Sequence, residues 1–164
     1  SDLGSLVDCI LDGGPCSVGL ESTIVSFAGP RPVLLRPGGM TVEEIESVIG
    51  PVETADPMDH RPLSPGRLQR HYAPRTPLRL LDTVPGPVPG LRVGLLSPVP
   101  AEPEGFAAVE ILSQTGSLPE AASNLFAAMR RLDAAGLDLI IAVAAGDHGV
   151  GRAINDRLRR AAQK

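Results

Sequence analysis

Residues 51–77 constrain this chain more than any other stretch. They hold six prolines, at 51, 57, 62, 65, 74 and 77, and no sustained apolar period. A structureless loop of that length is uncommon inside a compact domain, so a linker or a functional arm between two packing units is expected. Its charge is lopsided: between Asp59 and Asp82 lie Arg61, Arg67, Arg70, Arg75 and Arg79, with His71, and no acid. Such a stretch reads either as a solvated basic linker or as a binder of an anion such as a phosphate chain. Five arginines without a counter-charge favour the second.

The flanks carry different patterns. Residues 1–50 alternate short β-rich runs with glycine turns. Residues 6–11 read as a strand stopped by Asp12-Gly13-Gly14-Pro15, and residues 23–27 as a second turned by Gly29-Pro30. Val33–Arg36 reads as a third, ended by Pro37-Gly38-Gly39. Thr41 and Glu44 have the spacing of a capping box, and the helix they open carries Val42, Ile45, Val48 and Ile49 on one stripe before Gly50-Pro51 closes it. These elements are too few for an independent domain, so the zone is expected to be the end of something larger and poorly stable without partners for its apolar faces.

Residues 78–164 alternate strand and helix. Strands are expected at 78–81, 92–97 and 108–112, then a helix capped by Ser117 and Glu120 with Leu118, Ala122, Leu125, Phe126, Met129 and Leu132 on its apolar face. Gly136 stands where a left-handed cap belongs, and the unbroken apolar run 139–144 suits a strand buried on both faces of a parallel sheet. A last helix from about Arg152 turns Ile154, Leu158 and Ala161 inward. The expected fold class is α/β, with a Rossmann-like C-terminal domain.

Composition excludes several functions. The 164 residues suit one ordinary domain or two small ones. Hydrophobic residues make up 43%, enough for a core, while aromatics are only 2%, too few for a base-stacking platform. The formal charge, 15 − 19 = −4, means that any nucleic-acid contact needs a local patch. Cys9 and Cys16 lack further ligands at metal spacing and read as reduced cytosolic thiols, so no metal site is expected. No apolar run approaches the ~20 residues that span a bilayer. The start, Ser1-Asp2-Leu3-Gly4, has no basic n-region and no initiator Met, as expected of a fragment.

Three clusters are candidates for chemistry. The loop Gly146-Asp147-His148-Gly149-Val150-Gly151 follows a buried strand and opens a helix, where backbone amides can cradle a phosphate. Its glycine spacing departs from the dinucleotide fingerprint and Asp147 would repel a pyrophosphate, which favours a tight structural turn, with His148 a turn residue. Glu21-Ser22-Thr23 follows a glycine-rich stretch where backbone can approach a ligand closely. Arg36, ending an apolar strand, needs a carboxylate or phosphate partner, either a ligand or a structural ion pair.

Taken in order, these pieces resemble the Sua5/YrdC/YwlC family. Asp12-Gly13-Gly14-Pro15, then Val18-Gly19-Leu20-Glu21-Ser22-Thr23-Ile24-Val25 and Leu35-Arg36-Pro37-Gly38, look like the closing third of a YrdC-type catalytic domain. Ser64-Pro65-Gly66 and Arg70-His71-Tyr72-Ala73-Pro74 resemble the family's linker signature, and Gly149-Val150-Gly151-Arg152-Ala153-Ile154-Asn155-Asp156-Arg157-Leu158 its final turn and helix. The division this implies is 1–52 for the end of the YrdC-like domain, 53–77 for a linker and active-site lid, and 78–164 for the Sua5 domain. Where the family carries Met, a basic residue and Tyr between Gly66 and Arg70, this chain has Arg67, Leu68 and Gln69.

The resemblance implies threonylcarbamoyl-AMP synthesis by a nucleotidyltransferase. L-threonine and bicarbonate give a carbamate that attacks the α-phosphate of ATP, accompanied by Mg²⁺, and pyrophosphate leaves. The product would go to threonylcarbamoyl-transfer proteins that modify tRNA adenosine 37, so tRNA is an indirect partner, the location is cytoplasmic and no membrane is involved. By the same resemblance Ser22 and Thr23 would hold L-threonine, while Arg36 and the arm residues Arg70, His71 and Tyr72 would hold ATP. No catalytic residue is assigned. The family's N-terminal Lys/Arg phosphate motif and Ser-Asn segment are absent from the sequence, so the chain alone is expected to be inactive. A second reading is a non-catalytic accessory module that gates ligands or docks tRNA-modification partners. A carbamoyl-transferring hydrogenase-maturation relative is disfavoured, because it leaves the 64–74 arm and the α/β domain behind it unexplained.

Overall fold

The computed structural model describes residues 6–11, 13–14, 16–55, 73–86, 88–101 and 103–163. Two sheets organise them. In the first, β1 (Ile24–Ser26) pairs antiparallel with β2 (Val33–Arg36), with a register shift between Ile24 and Val25. Helix α1 (Val42–Ile49) follows, and β3 (Glu53–Thr54) then returns parallel to β2, held by Glu53 N–H on the Pro32 carbonyl and Ala55 N–H on that of Leu34. That short strand lies just past Gly50-Pro51, where its own side chains offer no apolar signal; backbone pairing, an Arg31–Glu53 ion pair and the Glu46 carboxylate on Val52 N–H hold it.

The second unit is a four-stranded parallel sheet in the order β4 (Leu78–Leu81), β7 (Leu139–Val143), β5 (Val93–Ser97), β6 (Ala108–Ile111). Helices α2 (Leu118–Asp133) and α3 (Gly151–Ala161) cover one face. Their side chains Ala121, Leu125, Met129, Ile154 and Leu158 pack on Leu78, Leu96, Ile140 and Ala142. On the opposite face Val93, Leu95, Ile141 and Val143 pack, among the described residues, against Val88 and Phe106. β7 sits between two parallel neighbours and is buried throughout, which is why its sequence is unbroken apolar and not alternating.

Asn155 ties α3 to the end of β7. Its side chain is 2% exposed, accepts from Ala145 N–H at 2.8 Å and donates to the Ala145 carbonyl at 3.0 Å. A single carboxamide thus satisfies both backbone polar groups of Ala145, the residue just past the strand end.

Two expectations change. Residues 6–11 form no strand; they stand exposed, Leu11 at 93%. A strand needs a ladder partner and a face to bury, and the described residues supply neither. The stripe on α1 contributes no buried residue, in keeping with apolar faces that lack partners. At α2 the Ser117 hydroxyl accepts from Glu120 N–H, but the Glu120 carboxylate accepts from Ser113 and Thr115, and Ser117 N–H turns to the Ser113 hydroxyl. The buried Ser113 outcompetes the reciprocal half of the box. The Thr41/Glu44 box on α1 forms in full, and Gly136 adopts φ 65° after α2.

Replacing Asn155 by Ala leaves both Ala145 groups buried and unpaired. Urea unfolding is expected to show a loss of about 2–3 kcal/mol. A loss below about 0.5 kcal/mol would contradict this role for the carboxamide.

Candidate functional site

β2 ends in Arg36, and the chain there meets the approach to β1. Arg36 is buried, and its guanidinium donates to the Ser22 carbonyl through Nε at 3.1 Å and Nη2 at 2.8 Å, with Nη2 also 3.3 Å from the Ser22 hydroxyl. The two residues singled out independently from the sequence are therefore neighbours. A carbonyl and a hydroxyl accept these bonds.

The neighbouring contacts fix the same segment. Gly39 N–H donates to the Glu21 carbonyl at 3.2 Å, and the Thr23 hydroxyl donates to the Met40 carbonyl. Gly38 lies so close that a Cβ there would stand 2.3 Å from the Glu21 carbonyl oxygen and 2.4 Å from the Thr23 nitrogen. Only a glycine lets the two backbones touch. Residues 21, 22 and 23 are thus each pinned to 36–40, with Ser22 exposed. Beside them opens a cavity of about 860 Å³, floored by Val18, Leu20, Val25, Met40 and Ile45, with Glu21, Ser22, Thr23 and Glu44 as its polar rim. An apolar cleft with a few convergent polar groups is the usual form of a small-molecule site.

The 146–151 loop is a tight turn. His148 N–H donates to the Gly146 carbonyl and Gly151 N–H to that of His148, so these amides close on the loop itself. The anion at its mouth belongs to this chain: the Glu43 carboxylate accepts from Gly149 N–H at 3.4 Å and pairs with Arg152 at 2.7 Å. Its pKa lies below the ordinary value, first through a hydrogen bond from its own backbone, then, against some desolvation, through Gly149 and the Arg152 charge. A carboxylate here also suits the positive end of α3.

Sequence reasoning missed a second clasp. Arg157 on α3, with 1% of its side chain exposed, donates from Nε to Glu21 at 2.8 Å and from Nη1 to Asp156 at 2.6 Å. The signal was present only as a run of arginines on the last helix, and no local pattern says which of them faces inward across the fold. The arm residues Arg70, His71 and Tyr72, with Ser64 and Arg67 to Gln69, lie outside the described residues. Among the described residues no group of three His, Cys, Asp or Glu side chains could hold a metal ion, and no helix is long and apolar enough to cross a membrane.

Comparison with known proteins gives the chain's family. The model of the threonylcarbamoyl-AMP synthase C-terminal domain matches residues 40–163. Over 98% of its length the chain is 39% identical to the threonylcarbamoyl-AMP synthase of Bacillus subtilis and 32% identical to that of Pyrococcus abyssi, covering 50% and 51% of those proteins. It thus spans about half the length of the curated relatives it matches. The crystal structure of P. abyssi Sua5 complexed with L-threonine superposes with a TM-score of 0.81 at 32% identity, over 98% of this chain and 51% of that one. A P. abyssi Sua5 variant with a His and a Tyr replaced by Ala matches with a TM-score of 0.78 at 32% identity, over 94% and 48%.

Gly38→Ala is expected to push residues 21–23 off their seat and to cost about 2 kcal/mol or more in denaturant unfolding. A neutral substitution would mean that the contact is slack. For Glu43, a folded pKa held below the unfolded one gives stability that is present above the unfolded value and lost as pH falls through the folded one. With both partners of the Arg152 pair part-exposed, Glu43→Gln should cost less than about 1 kcal/mol at pH 7, and nothing once the pH is low enough to protonate Glu43 in the folded protein. A penalty that persists in acid would contradict the clasp.

Proposed function

We propose that this chain, which belongs to the threonylcarbamoyl-AMP synthase C-terminal domain family, is the C-terminal half of a threonylcarbamoyl-AMP synthase. The whole enzyme would be a cytoplasmic nucleotidyltransferase that forms L-threonylcarbamoyladenylate from L-threonine, bicarbonate and ATP, ahead of the proteins that pass the threonylcarbamoyl group to tRNA adenosine 37. The carbamate oxygen bonds to the α-phosphorus of ATP as the bond to the bridging oxygen breaks, and pyrophosphate leaves. Such a transfer asks the protein mainly for alignment and for positive charge around the phosphates.

The observation that carries this reading is the contact between Ser22 and Arg36. We assign Ser22 and Thr23 to L-threonine and Arg36 to ATP phosphate, so a shared hydrogen-bond network would hold the two substrates side by side. The Thr23 hydroxyl, donating to Met40, keeps its lone pairs as an acceptor for a substrate donor. The L-threonine named in the matched P. abyssi structure supports the substrate. Arg70, His71 and Tyr72 are assigned to ATP as parts of a lid over 53–77 that excludes water from the acyl-adenylate. The division at 1–52, 53–77 and 78–164 draws support from the two separate sheets, with β3 (Glu53–Thr54) carrying the first sheet two residues past 52.

Among the described residues no group of three His, Cys, Asp or Glu side chains offers Mg²⁺ an all-protein cage. The ion would enter with the ATP phosphates, as Mg²⁺ commonly does, and the residues here do the binding and orienting.

Pyrophosphate release by the full-length protein is expected to require both L-threonine and bicarbonate, and this chain alone is expected to release none. Release without threonine, or none under any combination, would overturn the synthase reading and favour the accessory module. Salt-sensitive tRNA binding by the chain would point the same way.

A further inference from the structure

We infer that Arg157 is a positioning residue for the substrate segment, holding Ser22 in place through the Glu21 carboxylate. This inference rests on the proposed assignment of Ser22 to L-threonine. It gives the C-terminal unit a task in the reaction: its last two helices form the seat on which the threonine side of the site is built.

Three consecutive residues make the attachment. Gly19, at φ 66°, brings its backbone against α2 so tightly that a Cβ would stand 2.4 Å from the Ser123 Cα and 2.8 Å from the Ala122 carbonyl oxygen. Leu20 packs on the core that α2 and α3 share with the parallel sheet. Glu21 reaches α3, where Arg157 meets it at 2.8 Å from a buried position. Ser22 comes next in the chain. Its carbonyl and hydroxyl are taken by Arg36, while the Glu21 carbonyl is taken by Gly39. The segment is therefore gripped on one side by its own sheet and on the other by α2 and α3.

The Arg157 end of this grip is rigid. Asp156 accepts from Arg157 Nη1 and also from Arg160 through Nε and Nη2, both at 2.9 Å, so Glu21, Arg157, Asp156 and Arg160 alternate in charge. A planar guanidinium bridging two carboxylates fixes direction as well as distance, which a lysine ammonium does not. Misplacing a substrate-orienting group by about 1 Å can cost up to about 100-fold in rate.

The test uses the full-length protein with Arg157→Lys and Glu21→Asp, each of which keeps the buried charges balanced while losing the fork or the reach. Threonine-dependent pyrophosphate release is measured against L-threonine and against ATP, with Ser22→Ala alongside. Both clasp variants are expected to raise the KM for L-threonine about ten-fold, with the KM for ATP within about two-fold of the parent. Glu21 is half-buried, so Glu21→Asp carries the test even if Arg157→Lys accumulates poorly. A raised threonine KM in Ser22→Ala with unchanged values in both clasp variants would overturn the positioning role alone. Equal rises for threonine and ATP would also overturn it, as the mark of a merely structural contact. An unchanged threonine KM in Ser22→Ala would overturn the assignment of Ser22 on which the inference rests.

Discussion

A buried guanidinium joins the two units of this molecule. Arg157 lies under the surface of α3 with carboxylates on two sides, Asp156 from its own helix and Glu21 from the approach to β1. A charge so placed is tolerated only when its partners are held in register, and removing one of them leaves the other exposed to the full desolvation penalty. Glu21 cannot move far without breaking that balance, and Ser22 cannot move far without Glu21. The smaller Glu43–Arg152 pair at the head of the same helix adds a second, more solvent-screened tie.

Backbone proximity does the rest. Gly38 admits the 21–23 backbone on one side and Gly19 admits the α2 backbone on the other, both closer than any side chain would allow. Such contacts transmit displacement directly, because close-packed backbone has no rotamer to absorb it. The small first sheet consequently gains order from two sources, its own hydrogen bonds and the larger domain behind it. The apolar face of α1 contributes nothing buried to that order.

Much of the second unit was legible in the sequence because its signals are local or periodic. The 139–144 run announced a central parallel strand, Ser117 announced the start of α2, and the inward residues of α3 follow a helical period. The site was legible in part. Ser22 and Arg36 stood out from a glycine-rich approach and a charged strand end, and the fold brings them together. The clasps were not legible, since Glu21–Arg157 spans most of the chain and depends on how two units pack. Residues 6–11 failed in the opposite sense: their pattern is that of a strand, but strand formation is decided by a partner and not by the pattern.

Membership of the synthase family and the Ser22–Arg36 contact lead to one view of this half-length chain, in which the α/β domain organises residues 19–23, the segment proposed to hold substrate, which leads into another sheet. Amide hydrogen exchange across the full-length protein tests that coupling most directly. The amides of residues 21–25 are predicted to open together with those of α3, at a common free energy and in one cooperative unit. Exchange of residues 21–25 at loop-like rates while α3 stays protected would contradict it, and would leave the C-terminal domain without a hold on the site.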